Sequence, residues 1–115
     1  MAMYMSPEQI SGKRLDRRSD VFSTGVVLFE LLTGQRPFEA HDLTSIAMKI
    51  ARKRHPRLSM VNPALPRILE KIIDRALEKD PEKRYASAGL MASHLKRIVA
   101  KIDEIREGRD FETHR

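Results

Sequence analysis

The side chains best suited to catalysis or metal binding do not form a recognisable site. No two histidines stand four positions apart, the spacing that places two imidazoles on one helical face to bind zinc. The sequence contains no cysteine, so disulfides and thiolate metal sites are excluded. Ser11 and Ser59 have no neighbouring His-Asp arrangement that would make either a nucleophile. The histidines are His41, His55, His94 and His114. We expect His94 to be solvated on the polar side of a helix.

The sequence also lacks the residues that hold and activate a nucleotide phosphate. Its five glycines are too widely spaced to form a Gly-x-Gly-x-x-Gly loop. Asn62 is the only asparagine, and Asp103 and Glu104 lie on the tail of a predicted helix with no partner for Mg²⁺. We therefore assign no catalytic, cofactor-binding or metal-binding residue to this chain.

Composition and charge limit the class of protein to which this chain can belong and the partners it can bind. Hydrophobic residues make up 41% of the chain and charged residues 33%, which is typical of a globular protein. The net charge is +6, but the few aromatic residues do not alternate with the basic runs, so nucleic-acid binding is disfavoured. The longest apolar run, residues 25–29, is far too short to span a bilayer. We expect a cytoplasmic protein.

Cap signals and apolar spacing predict the first two helices. Ser6 as N-cap, Pro7 at the first position and Gln9 three residues after the cap predict a short helix. A second helix is predicted to open near residues 19–20 and to end at Gly34. Apolar side chains surround most of this helix, which indicates a central, buried position.

The rest of the chain also reads as helical. Residues 42–53 predict a third helix, whereas the prolines of residues 55–66 predict a loop. A fourth helix is expected at 66–78, then a tight turn at 80–84. The last helix should begin near Ser87 and run beyond Ile102. The predicted fold is all-α, with about five helices and no strongly signalled strand.

Four sequence motifs then resemble those of one family. They are YMSPE (4–8), SDVFSTG (19–25), ELLTGQRPF (30–38) and DPEKRY (80–85). In this order they resemble the C-terminal part of the large lobe of a eukaryotic-type serine/threonine protein kinase, in its bacterial form. The resemblance implies that residues 1–106 are a partial kinase domain without the small lobe and catalytic loop. Residues 107–115 would be a polar tail.

The resemblance also implies roles for particular residues. Glu8, at the end of the activation segment, would pair with Arg84 as a structural clamp. Asp20 would cap the central helix, because the catalytic loop that it binds in the family is not in this chain. The remnant of the substrate-positioning loop would comprise Met3, Tyr4 and Met5. ATP and Mg²⁺ would be cofactors of the complete parent kinase, not of this chain.

Two functions therefore remain open. The first is a non-catalytic kinase fragment, from a truncated form or a remnant gene, that keeps scaffold and docking elements. Protein substrates or partners would dock on the third helix and on residues 55–66. The second is a stand-alone helical adaptor derived from a kinase lobe. In either case the central helix would lose part of its cover, so we expect a homodimer or higher oligomer through residues 21–32.

Overall fold

A computed structural model describes residues 4–113 of the chain, and it is all-helical over those residues, which confirms the predicted fold class. A 3-10 turn at Pro81–Lys83 lies between the last two α-helices. The six α-helices are α1 (Pro7–Ile10), α2 (Arg17–Thr33), α3 (Leu43–Arg52), α4 (Leu58–Val61), α5 (Arg67–Ala76) and α6 (Ala88–Thr113).

Local capping fixes the ends of the first two helices. At α1, the Ser6 hydroxyl accepts a hydrogen bond from the amide of Gln9, and the Gln9 side chain accepts one from the Ser6 amide. α2 begins two to three residues earlier than predicted, because Asp16 and Ser19 form a second capping box. It ends as predicted at Gly34, whose φ of 74° lies in the left-handed region that favours glycine.

The segment 55–66 is not entirely a loop. It contains the single helical turn α4, and Leu58 at the start of this turn is fully buried. No side chain caps α4, so burial of Leu58 in the core holds the turn in place, an influence that local sequence rules do not capture. The prediction of an uninterrupted loop was therefore wrong.

The last helix extends past the predicted boundary at residue 106. α6 continues to Thr113, so the backbone of much of the predicted polar tail is helical. In the first half of α6 the side chains of Met91 and Ile98 are buried, whereas Ile105 in the second half is 49% exposed. Packing against the other helices thus involves mainly the first half of α6.

α2 is the centre of the fold. One set of buried side chains, including Phe22, Val26 and Phe29, packs against α4 and α5, while Val21 joins a second set with α5 and α6. Gly25 allows the close approach of α5, since a Cβ placed there would lie 2.8 Å from Cβ of Ala76. Among the described residues, no helix combines the length and hydropathy needed to cross a membrane.

Candidate functional site

The side chain of Arg84 is completely buried and uses every one of its hydrogen-bond donors. Two of them form a fork with the Glu8 carboxylate, Nη1 to Oε2 at 2.6 Å and Nη2 to Oε1 at 2.8 Å. The other bonds go to backbone carbonyl oxygens, namely those of Glu78 (2.7 Å), Arg18 (2.9 Å) and Lys79 (3.2 Å). A planar guanidinium can satisfy all these acceptors at once, and the shorter ammonium of lysine cannot.

Glu8 is equally well satisfied. Its Oε2 also accepts a hydrogen bond of 2.8 Å from the hydroxyl of Ser19, in the first turn of α2. Burial alone would raise the pKa of Glu8, but the hydrogen bonds from Arg84, its own backbone amide and Ser19 lower this pKa to about 2. Glu8 is therefore ionised at neutral pH. The structure thus joins α1, the start of α2 and the segment before α6 at one buried point, which we call the Glu8–Arg84 clamp.

Lys79 connects the clamp to α3. Its Nζ donates hydrogen bonds to the carbonyl oxygens of Ile50 (2.6 Å) and Lys49 (3.3 Å) in the last turn of α3. The same ammonium lies 4.2 Å from the ring centroid of Phe38. Burial, and secondarily the charge of Arg84, lower the pKa of Lys79 to about 8. The backbone carbonyl of Lys79 is also one of the clamp's acceptors, so one residue contacts both regions.

The residues predicted to position a substrate lie along α2. The Tyr4 hydroxyl donates a 2.7 Å hydrogen bond to Glu30 Oε2, and the Tyr4 carbonyl accepts one of 2.7 Å from the hydroxyl of Ser23. Met5 is half-buried, and Met3 lies outside the described residues. The backbone that enters α1 is therefore fixed against the middle of α2.

Asp20 does not cap α2. The N-cap is Asp16, whose carboxylate accepts a 2.8 Å hydrogen bond from the amide of Arg18, and Asp20 is an exposed residue in the first turn. The resemblance implied a cap at Asp20, but Asp16, four residues earlier, forms the capping box with Ser19, so that prediction was wrong. Asp20 instead begins an exposed face of α2 that continues through Thr24, Val27 and Leu31.

Asn62 and the acidic side chains are the residues from which a Mg²⁺ site in this chain would have to be built. Within the described part of the chain, no group of three acidic, histidine or cysteine side chains is close enough to hold a metal ion. The Oδ1 atom of Asn62 is engaged in a local turn, where it accepts a hydrogen bond from the amide of Ala64 at 3.2 Å. No step that uses a nucleotide can be assigned to these side chains, and the absence of a cofactor in this chain stays a prediction.

Sequence reasoning missed two histidine contacts. His55 is buried and its Nε2 lies 2.7 Å from Oδ1 of Asp74, while burial lowers the pKa of His55. Nδ1 of His94 lies 2.6 Å from the hydroxyl of Tyr85, so His94 is not simply solvated as expected. Both pairs join different elements of the fold, and no local pattern in the sequence marks them.

The surface predicted for docking is open. Leu43 is 69% exposed at the start of α3, and Met48 is 50% exposed in its middle. Beside α3 lies a cavity of about 650 Å³, and its lining includes the acidic Glu39 and Asp42 as well as Arg36, His41 and Lys49. Met60, on α4, is 76% exposed. Apolar and basic side chains of α3, α4 and the adjoining loop are therefore available to solvent.

Taken together, the helical order and the buried carboxylate–guanidinium pair define a kinase-type large lobe. Residues 2–95 match the family model described as the protein kinase domain. The chain belongs to the protein kinase family.

Its relatives are bacterial serine/threonine kinases. It is 40% identical over 99 residues to the serine/threonine-protein kinase PksC of Streptomyces coelicolor, covering 86% of this chain and 18% of PksC. It is 42% identical over 93 residues to PrkC of Bacillus subtilis, covering 81% of this chain and 14% of PrkC. For PknB of Mycobacterium tuberculosis the identity is 40% over 97 residues, covering 84% of this chain and 16% of PknB. The chain thus spans less than a fifth of the length of each of these relatives.

Proposed function

We propose that this chain is the substrate-side, scaffolding part of the large lobe of a serine/threonine protein kinase and that it transfers no phosphate by itself. A complete parent would phosphorylate protein serine or threonine with ATP and Mg²⁺ in the cytoplasm, where ATP is available. The observation that carries the proposal is the Glu8–Arg84 clamp, with both hydrogen bonds of the carboxylate–guanidinium fork at 2.8 Å or less.

The clamp would brace the segment that contacts the protein substrate. Glu8 lies in α1, three residues after Met5, and Ser23 and Glu30 fix Tyr4 against α2. Arg84 is held in place by backbone carbonyls of α2 and of the segment after α5. If α1 moved, Glu8 would therefore move away from Arg84, and the buried ion pair between them would break. Such a rigid support suits a loop that must hold a peptide in one position while its hydroxyl reacts.

Docking would use α3 together with residues 55–66. This proposal rests on the exposed side chains of Leu43, Met48 and Met60 and on the cavity beside α3. Methionine is a flexible apolar residue that adapts to different binding surfaces.

A chimera would test the kinase-lobe proposal. Residues 2–95 would replace the matching stretch of the PrkC kinase domain, to which this chain is 42% identical. We expect the chimera to phosphorylate a protein substrate and the isolated chain to transfer no labelled phosphate from ATP. The Arg84→Met change should inactivate the chimera, whereas Arg14→Met, at an exposed arginine outside the proposed docking surface, serves as the matched control. A folded but inactive chimera, or an active isolated chain, would contradict the proposal.

We also propose that the chain self-associates through the exposed face of α2, whether it acts as a kinase fragment or as a helical adaptor. Val27 is 45% exposed and Leu31 is 77% exposed on that face. A second copy covering these side chains would remove apolar surface from water. Light scattering coupled to size exclusion should then show a dimer for the native chain and a monomer for Leu31→Glu. Leu90→Glu, at a 56% exposed leucine of α6, is the control. A monomeric native chain would rule out self-association through α2 and would favour the adaptor over the kinase fragment.

A further inference from the structure

The net positive charge of the protein comes from one segment. Residues 43–69 contain six of the 22 lysines and arginines and none of the 16 acidic residues. The remaining 16 basic residues balance the 16 acidic residues of the rest of the chain. The segment that carries the excess runs from α3 through α4 to the start of α5, which includes the proposed docking surface.

Most of this excess charge is unpaired. Arg52, Lys53 and Arg54 are exposed at the end of α3, and none has an acidic side chain within 4.0 Å among the residues that the structure describes. Arg57 pairs with Glu70 at 3.0 Å, but the Arg57 side chain is still 71% exposed. We call these four residues the basic surface. A cation near the helix end interacts favourably with the helix dipole, which accounts for Arg52 but not for three consecutive cations.

Two of these cations line the same small cavity. Arg52 and Arg54 line a space of about 190 Å³ together with Lys79 and His55. Two acidic residues, Asp74 and Glu78, also line it, and Asp74 is already bound by His55. Arg52, Arg54 and Lys79 outnumber the two carboxylates, so the lining of this cavity has an excess of positive charge.

Exposed apolar side chains lie next to the basic surface. Met48 stands four residues before Arg52, so the two are neighbours on one face of α3. Met60 follows Arg57 by three residues, and its amide donates a 3.0 Å hydrogen bond to the Arg57 carbonyl. No aromatic residue occurs in residues 43–69, so the surface has nothing on which nucleic-acid bases could stack.

We propose that the basic surface binds an acidic polypeptide segment with apolar side chains interspersed among its carboxylates. The inference rests on the proposed docking function and names the chemistry of the partner. Carboxylates would pair with the exposed cations, and the apolar side chains would cover the two methionines. Charge complementarity of this kind guides the partner to the surface and selects against basic partners.

Fluorescence anisotropy with a defined peptide tests this proposal. The probe is a labelled peptide of repeated Glu-Glu-Leu, compared with repeats of Lys-Lys-Leu and Glu-Glu-Ser and with oligothymidylate. We expect the Glu-Glu-Leu peptide to bind best, and its affinity to fall as salt is added. Equal binding of the serine peptide would overturn the apolar part of the proposal. Preference for the oligonucleotide would overturn it in favour of nucleic acid.

Charge-reversal variants locate the binding site. Combining Arg52→Glu, Lys53→Glu and Arg54→Glu should weaken the binding of the Glu-Glu-Leu peptide by at least about tenfold. Lys96→Glu, Arg97→Glu and Lys101→Glu change the total charge equally on the exposed side of α6 and should alter affinity by less than about twofold. Circular dichroism of each variant checks that it folds. An equal loss in both triple variants would show that only the net charge matters and would overturn the proposal.

The peptide-binding and chimera experiments together distinguish a failure of the acidic-partner proposal from a failure of the proposed kinase-lobe function. A chimera with PrkC that phosphorylates its substrate, together with a chain that does not bind the acidic peptide, would refute the acidic partner and leave the kinase lobe supported. A folded, inactive chimera would refute the proposed function whatever the peptide does.

Discussion

The buried Arg84 and the exposed pair Arg52 and Arg54 have opposite roles in this protein. Arg84 is buried, and its five hydrogen bonds leave no donor free for another molecule. Arg52 and Arg54 are exposed and have no acidic partner within 4.0 Å in the described structure. The same side chain thus fastens the fold at one site and remains available to a partner at the other.

The difference lies in what surrounds each guanidinium. A buried charge is tolerated only where partners replace the water that it has lost, and removal of one partner leaves an uncompensated charge. An exposed charge keeps its water and contributes little to stability. We therefore expect changes at Arg84 to affect stability and changes at Arg52 or Arg54 to affect binding.

Replacement of Arg84 should have the largest effect on folding. Arg84→Met would leave the Glu8 carboxylate buried without its cation, and should lower the free energy of unfolding by about 4 kcal/mol. Arg54→Met should change it by less than about 0.5 kcal/mol. Urea unfolding followed by circular dichroism measures both values. If Arg84→Met does not fold, Arg84→Lys keeps the charge but loses the fork and should still be less stable than Arg54→Lys. Equal stability of the two lysine variants would contradict the role of the clamp.

Acid should weaken the same clamp. The pKa of Glu8 is about 2 in the folded chain against an ordinary value of 4.5, so the unfolded chain takes up the proton first. The resulting stabilisation, about 3 kcal/mol, is fully present above pH 4.5 and is lost as the pH falls towards 2. Unfolding curves over this range should show a smaller pH dependence in Glu8→Gln. An unchanged pH dependence in this variant would show that other groups cause the acid sensitivity.

A substitution that disturbs the close packing of α2 against α5 should have the next largest effect on stability. Gly25→Ala would place a methyl group 2.8 Å from the Ala76 side chain, and should destabilise the fold by about 2 kcal/mol because α2 and α5 must move apart. Gly89→Ala is the matched control, since an added Cβ at that position in α6 meets only the Ser87 hydroxyl at 3.7 Å. Thermal melts of the two variants compare the sites. A Gly25→Ala variant as stable as Gly89→Ala would contradict the helix spacing described here.

Loss of the α2 cap should have the smallest effect. Asp16→Ala removes the carboxylate that accepts a hydrogen bond from the Arg18 amide, and should cost about 1 kcal/mol. Asp20→Ala should cost less than half of this, because Asp20 is exposed and is not the N-cap. Urea unfolding of both variants ranks the two aspartates, and the reverse order would restore Asp20 as the cap.

The sequence predicts those parts of the fold that depend on neighbouring residues. Ser6 with Gln9 and Gly34 after α2 are local signals, and the corresponding helix ends are observed at these residues. The start of α2 was missed because the partner of Asp16 in its capping box is Ser19, where glutamate or glutamine is the usual residue.

Contacts between distant segments could not be predicted in the same way. The resemblance to kinases suggested that Glu8 and Arg84 pair, but nothing in the sequence shows the three carbonyl oxygens that complete the shell of Arg84. The contact of Lys79 with the end of α3 is equally invisible, because its acceptors are backbone atoms. Such groups are the same in every residue and leave no mark in a sequence.

Nitrogen-15 NMR of the arginine side chains tests the contrast between the two sets of arginines most directly. Hydrogen bonds to all donors should stop rotation of the Arg84 guanidinium, giving separate, slowly exchanging Nη signals that disappear in Arg84→Lys. The signals of Arg52 and Arg54 should be averaged by fast rotation and rapid exchange with water. An Arg84 signal averaged like those of Arg52 and Arg54 would contradict the clamp. It would also contradict the contrast between a buried arginine that stabilises the fold and exposed arginines that are available for binding.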